Sequence, residues 1–314
     1  MEDTQLFSFA RARRSPAELA VRARARLATA IDLAGRIVAL ERRAVADAID
    51  YRDRLLPPLK ERLTRVFGAG LADRTLVDFG CGYDYPLVCL LAPSVKEIVG
   101  VDVCPVYRRG ELGPGLRGGL LAATKRLAAH ELTTRVHDHI AALVGKPADG
   151  KPYRTMQSGD RDLPLPDGFA DAVVSNAVLQ ELPLPLEDFA REMHRVLAPS
   201  GYVDLEWHNF YSLSGNYGDA ERRRTQPWGH LLGGPVHPRL NRVRPEQVVA
   251  AFSPWFTDIR VLAHDARHRT AGEHPGYEEE GRDLLTPELA ARLSRYPRSL
   301  LLTRGYVLVG RRRP

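Results

Sequence analysis

Short apolar runs, each closed by a glycine or a carboxylate, recur through the middle of the chain, and longer stretches with helical spacing flank them. Leu76, Val77 and Phe79 end in Gly80-Cys81-Gly82. This pattern predicts a buried strand that stops at a tight turn, with a helix opening near Pro86. A second strand, Glu97 to Asp102, ends in a carboxylate about 20 residues after the glycines. A third strand is expected near Tyr153, a fourth over Phe169 to Asn176 and a fifth over Tyr202 to Glu206. A helix (Pro245 to Phe252), a strand (Phe256 to Leu262) and a final strand (Leu300 to Val309) follow. Strands alternating with helices predict an α/β fold with a largely parallel sheet.

The N-terminal part reads differently. From Pro16 to about Asp50, Leu27, Ile31, Ala34, Val38, Val45 and Ile49 recur at helical spacing, with arginines mostly off the stripe. Ser15 before Pro16, with Glu18 three residues after the serine, is a helix-start pattern. A second helical piece, Tyr51 to Phe67, is interrupted at Pro57-Pro58 and ends at Gly68. Between Asp102 and Tyr153 lies an insertion. Gly110 to Gly119 reads as a loop and Leu120 to about Val144 as helix. His264 to Glu280 is polar and reads as a surface loop without an assigned role.

Composition narrows the function classes. The chain has 314 residues with 44% hydrophobic and 27% charged positions, those of an ordinary globular protein. No apolar run approaches the ~20 residues of a membrane span, and the N-terminus lacks the apolar core of a leader. Cys81, Cys89 and Cys104 have no metal-ligand spacing, which fits packing in a reducing cytoplasm. The net charge of +6 is concentrated in the first 70 residues, with 14 Lys/Arg against 9 Asp/Glu, and in Arg311, Arg312 and Arg313. No aromatic stacking pattern runs between these arginines, so a solvated helix face accounts for them better than a nucleic-acid track. His137 and His139 stand at i and i+2, which do not share a helix face, so no metal is expected there.

A carboxylate following a G-x-G turn at this distance is where nucleotide-binding βαβ units hold ribose hydroxyls. From this point the chain resembles the class I S-adenosylmethionine-dependent methyltransferases, in particular their small-molecule branch. Ser158 to Asp167 looks like the family's adenine-side loop, and Phe169 to Asn176 like its fourth strand. Val178 to Leu182 looks like the helix start beyond it, and Arg195 to Gly201 like the turn before the fifth strand. The resemblance implies a Rossmann-like seven-stranded sheet whose last strand is antiparallel. It also implies a domain over 71–314, with the insertion at about 103–152, and a helical lid over 1–70 that folds on the cofactor mouth. A dimerisation face is the alternative for those helices.

S-adenosylmethionine is the implied cofactor. Asp78 would lie near its methionine end, Gly80 and Gly82 would let the backbone approach, and Asp102 would accept both ribose hydroxyls. Asp160 would accept from the adenine amino group, with the Arg161 amide facing the ring. Asp84 stands where the family usually has a third glycine; it is either a turn residue that tolerates a left-handed backbone or a partner for the α-ammonium. On the acceptor side Asn176, Glu181, His208 and Tyr211, with His230, are the candidate catalytic or binding groups. The Asn/Asp-Pro-Pro-aromatic run of amino-methylating nucleic-acid enzymes is absent, since Ser175-Asn176-Ala177-Val178 stands there, and no Pro-Cys nucleophile occurs. The expected reaction is methyl transfer to oxygen or nitrogen of a small-molecule acceptor. Attack at the γ-carbon of the methionine arm, which releases methylthioadenosine, is one alternative. An inactive cofactor-binding module is another.

Overall fold

The computed structural model describes residues 46, 49–82, 85–103, 153–157, 163–182, 185–217, 220–238 and 240–314. Ala44–Pro314 forms one compact unit. The helices expected before residue 46 and over 120–144, the His137/His139 pair, and Asp84, Asp160 and Arg161 lie outside the described residues.

Seven strands form one sheet in the order β3-β2-β1-β4-β5-β7-β6. They are β1 (Thr75–Phe79), β2 (Glu97–Asp102), β3 (Tyr153–Gln157), β4 (Ala170–Asn176), β5 (Leu197–His208), β6 (Phe256–His264) and β7 (Gly305–Arg312). The first five pair in parallel, and β7 runs antiparallel between β5 and β6. This is the expected seven-stranded α/β sheet with its last strand antiparallel. Helices cover both faces, which is why the parallel strands read as near-continuous apolar runs.

On one face, α1 (Leu56–Phe67) and α2 (Pro86–Leu91) bury Leu59, Leu63, Leu87 and Leu91 against Leu76, Ile98, Val174 and Val309. Pro57 and Pro58 stand in the first turn of α1, where a missing N–H costs nothing, so they open the helix after a π-helical turn at Tyr51–Leu55. On the other face, α3 (Leu186–Val196) and α5 (Pro245–Phe252) bury Phe189, Met193, Val248 and Phe252 against Val77, Val173, Val203 and Leu308. Shorter helices α4 (Ala220–Thr225), α6 (Pro287–Arg292) and α7 (Arg298–Leu302) fill the C-terminal half.

Two expectations need correction. The final strand does not begin at Leu300. Leu300, Leu301 and Leu302 form α7, capped by Pro297, and bury all three side chains in the core; the strand starts at Gly305. An apolar run of this length satisfies helix and strand equally, and the proline decides in favour of helix. The segment after β6 is also not a plain surface loop. It folds back through a His264–Thr270 bridge and buries His264, Asp265 and Thr270.

Candidate active site at the carboxyl ends of the strands

The turn after β1 is built around its glycines. Gly80 and Gly82 have φ of +73° and +70°, a region other residues enter at a cost. A Cβ at Gly80 would collide with the Val178 side chain, so the backbone there passes where no side chain fits. The Gly80 N–H donates to the Val101 carbonyl at 2.7 Å, and the Gly82 N–H donates to Asp102 Oδ2 at 2.9 Å. The carboxylate that ends β2 therefore fastens the glycine turn and faces it. The thiols of Cys81 and Cys89 are buried in the core cluster, as their packing role requires.

Asp78 sits one turn back, in β1, with Gly100 of β2 and Val174 of β4 as its register neighbours. It is buried, and its Oδ2 has no hydrogen-bond partner among the described residues. Burial, with Asp102 nearby, pushes its carboxyl up to about 8. A buried acceptor left over at a strand end is the arrangement a cationic ligand group satisfies. The chemistry of this donor set fits the sulfonium cofactor with its α-ammonium group. The segment Leu163–Leu165 is pinned to α3: Arg195 donates to the carbonyls of Leu163 and Leu165, and Glu192 accepts from the Leu163 N–H at 2.7 Å.

Asn176, Glu206 and His208 come together, because strand alternation sends all three to the α1 face and Asn176 pairs in register with Glu206. Asn176 donates to the Tyr51 hydroxyl at 2.8 Å, while its Oδ1 is buried and unpaired among the described residues. The His208 imidazole is pulled down to about 4, chiefly by burial and then by Arg304. Its backbone N–H donates to Gln180 Oε1, and the same Gln180 amide donates to the Ala177 carbonyl and the Tyr217 hydroxyl. Glu181 lies beside Gln180 on the 3-10 turn Leu179–Glu181.

Tyr211 is placed apart from these. It belongs to the core cluster of the opposite face, its hydroxyl donates to the Arg242 carbonyl and accepts from Arg244, and that guanidinium stacks over its ring. His230 bonds the Phe210 carbonyl at 2.8 Å on the same side. Both therefore brace the segment after β5.

Sequence reasoning missed Tyr51, Gln180 and Glu206 as members of this constellation. Glu206 was legible in principle: Asp204 and Glu206 alternate along a strand buried on both faces, where apolar residues are the rule.

A family model described as "Methyltransferase domain" matches residues 46–252. No curated protein sequence matches the chain. Among solved structures, a SAM-dependent methyltransferase from Archaeoglobus fulgidus is 17% identical with a TM-score of 0.43, the match covering 81% of this chain and 93% of that one. Geranyl diphosphate C-methyltransferase from Streptomyces coelicolor A3(2), complexed with Mg2+, geranyl diphosphate and S-adenosyl-L-homocysteine, is also 17% identical with a TM-score of 0.43. That match covers 82% of this chain and 79% of the other. The [4+2]-cyclase SpnF is 18% identical with a TM-score of 0.43, covering 81% and 79%. The family match spans well over half of the chain, and the chain belongs to the methyltransferase-domain family, with S-adenosylmethionine as its cofactor.

Proposed function

We propose that this protein is an active enzyme that transfers methyl to oxygen or nitrogen of a small-molecule acceptor. The observation that supports it best is the pair of unsatisfied buried acceptors, Asp78 Oδ2 and Asn176 Oδ1, on neighbouring strands at the sheet's carboxyl edge. Open α/β sheets bind ligands at that edge. S-adenosylmethionine supplies an electrophilic methyl on a sulfonium. The chain's part is to bind, align and keep out water. Asp102, Gly80 and Gly82 hold the nucleoside end and Asp78 the methionine end; Asp84, Asp160 and Arg161 complete the cofactor set in this proposal. Asn176 orients the acceptor, with Tyr51 fixing its amide, and Glu181 and His208 are the groups in reach of an acceptor proton.

An acceptor-side amide, Asn176, held by the Tyr51 hydroxyl supports a small metabolite as the acceptor, and the three cysteines suit a cytoplasmic enzyme. The N-terminal stretch is proposed as a lid; a chain lacking residues 1–50 that keeps full turnover but becomes monomeric would make it a dimer contact instead. The test of the reaction is to incubate the protein with S-adenosylmethionine and candidate hydroxy or amino acceptors, and to identify the nucleoside product by mass. Adenosylhomocysteine, formed only with acceptor, is the expected product. Methylthioadenosine without adenosylhomocysteine would overturn the methyl-transfer reading, and no nucleoside product with any acceptor would favour the inactive module.

A further inference from the structure

The segment after β6 carries two histidines that none of this chemistry uses. His264 ends β6, and the chain then turns so that the His268 ring stacks on the His264 ring at 5.1 Å and 18°. The turn carries backbone strain at His268, whose φ is +56°, so other contacts must hold it. Asp265 holds it by accepting from the backbone N–H groups of Arg267, Arg269 and Glu278 and from the Arg269 side chain. Both rings face Glu206 of β5. Glu206 Oε1 lies 3.4 Å from His264 Nε2 and 2.8 Å from His268 Nδ1. The three side chains are 5%, 0% and 13% exposed for Glu206, His264 and His268.

The contacts are not those of a finished hydrogen-bond network. His264 Nε2 and His268 Nδ1 are both buried and without a hydrogen-bond partner among the described residues, although the carboxylate is close. Three potential ligand atoms gathered within 4.8 Å of one another in a buried place are what a common central ion produces. Two donors each ~2.1 Å from a metal stand ~3.0 Å apart at a right angle and ~3.4 Å apart at the tetrahedral angle. The observed 2.8 and 3.4 Å bracket that range.

The surroundings support the same reading. His264 Nδ1–H donates to the Asp265 carbonyl at 3.0 Å, which leaves Nε2 as the lone-pair nitrogen of the ring. Position 305 is glycine, and a Cβ there would run into His264 Nε2. The neighbouring Asp204 is already neutralised by Arg62, so the carboxylate presented to the two imidazoles is that of Glu206.

We propose that Glu206, His264 and His268 bind a divalent d-block ion of the zinc and iron(II) class. Two imidazoles and one carboxylate select such ions over magnesium or calcium, which prefer all-oxygen shells. Three protein donors leave at least one position for water or an acceptor oxygen, at the end of the strand beside Asn176.

The test needs neither cofactor nor acceptor, so it stands apart from the fate of the methyl-transfer reading. The full-length protein is stripped with chelator and titrated with Co2+ and then Zn2+, followed by visible absorption and calorimetry. The expected result is one Co2+ per chain with ligand-field bands that Zn2+ bleaches. His268→Gln, at the most exposed of the three ligands, should weaken the affinity at least 100-fold while the far-UV circular dichroism is unchanged. Glu206→Gln should do the same, as a second variant in case the first perturbs the turn. A stripped, folded wild-type chain that takes up neither ion would overturn the site. So would variants that bind as tightly as the parent, because the ion would then be held elsewhere.

Discussion

Arg62 of α1 and Asp204 of β5, separated by 142 positions in the chain, meet as a buried bidentate pair with N···O distances of 2.6 and 2.9 Å. The pair fixes the helix before the first strand to the centre of the sheet, directly below Glu206 on the same face. Removing one member leaves an uncompensated buried charge. Arg62→Ala is expected to cost about 3–5 kcal/mol, read from urea unfolding. The double variant Arg62→Met with Asp204→Leu should recover most of that loss. A single variant within about 1 kcal/mol of the parent would show that the pair is not a stability element.

Asp78 sets a pH dependence of known sign. Its folded carboxyl is raised to about 8, by burial first and Asp102 second. Below about pH 4 it is protonated in both the folded and unfolded states, and its contribution is at its most favourable. Between about pH 4 and 8 the unfolded chain loses this proton and the folded chain keeps it, so stability falls as pH rises. Asp78→Asn should flatten that slope, making the cofactor-free protein more stable at pH 8 while weakening cofactor binding. Thermal unfolding from pH 5 to 8 with equal slopes in parent and variant would refute this.

Gly80→Ala combines a positive φ with a collision against Val178. It should destabilise by at least about 2 kcal/mol and reduce cofactor affinity, since the turn must move. Pairing it with Val178→Ala should restore part of the stability but not the strained φ. Denaturation midpoints of the three variants separate the two contributions.

Asp102 holds the Gly82 N–H with one oxygen and has the ribose hydroxyls as its proposed ligand. Asp102→Ala should therefore weaken S-adenosylmethionine binding by tens of fold, about 2–3 kcal/mol, with the fold retained. Asp102→Asn keeps an acceptor for Gly82 and should fall between alanine and the parent. Calorimetry showing parental affinity for a folded alanine variant would remove Asp102 from the cofactor site.

Much of this arrangement was readable from residue order because it is local. Leu76 and Val77 before Gly80-Cys81-Gly82, and Ile98 to Asp102 after them, carry their own strand and turn signals within 30 residues. Glu206, His264 and His268 were not legible in that way. The polar composition of 264–280 suggests a loop, and only the pairing of β6 and β5 on either side of β7 sets His264 across Gly305 from His208, within diagonal reach of Glu206. Tyr51 escaped for a related reason: its contact with Asn176 spans 125 residues and depends on how α1 docks.

The position of β7 has a consequence for how the chain assembles. In the finished sheet β7 lies between β5 and β6, yet it is the last of the three to be synthesised. Until residues 305–312 leave the ribosome, β5 has an open edge and β6 has no strand to pair with among the described residues. Insertion of a strand between two already made is a non-local step, of the kind that slows folding and leaves unpaired edges available to other chains. Docking of β7 is therefore the event that joins the Glu206 strand to the His264 strand, because β5 and β6 each pair with β7 and not with one another among the described residues.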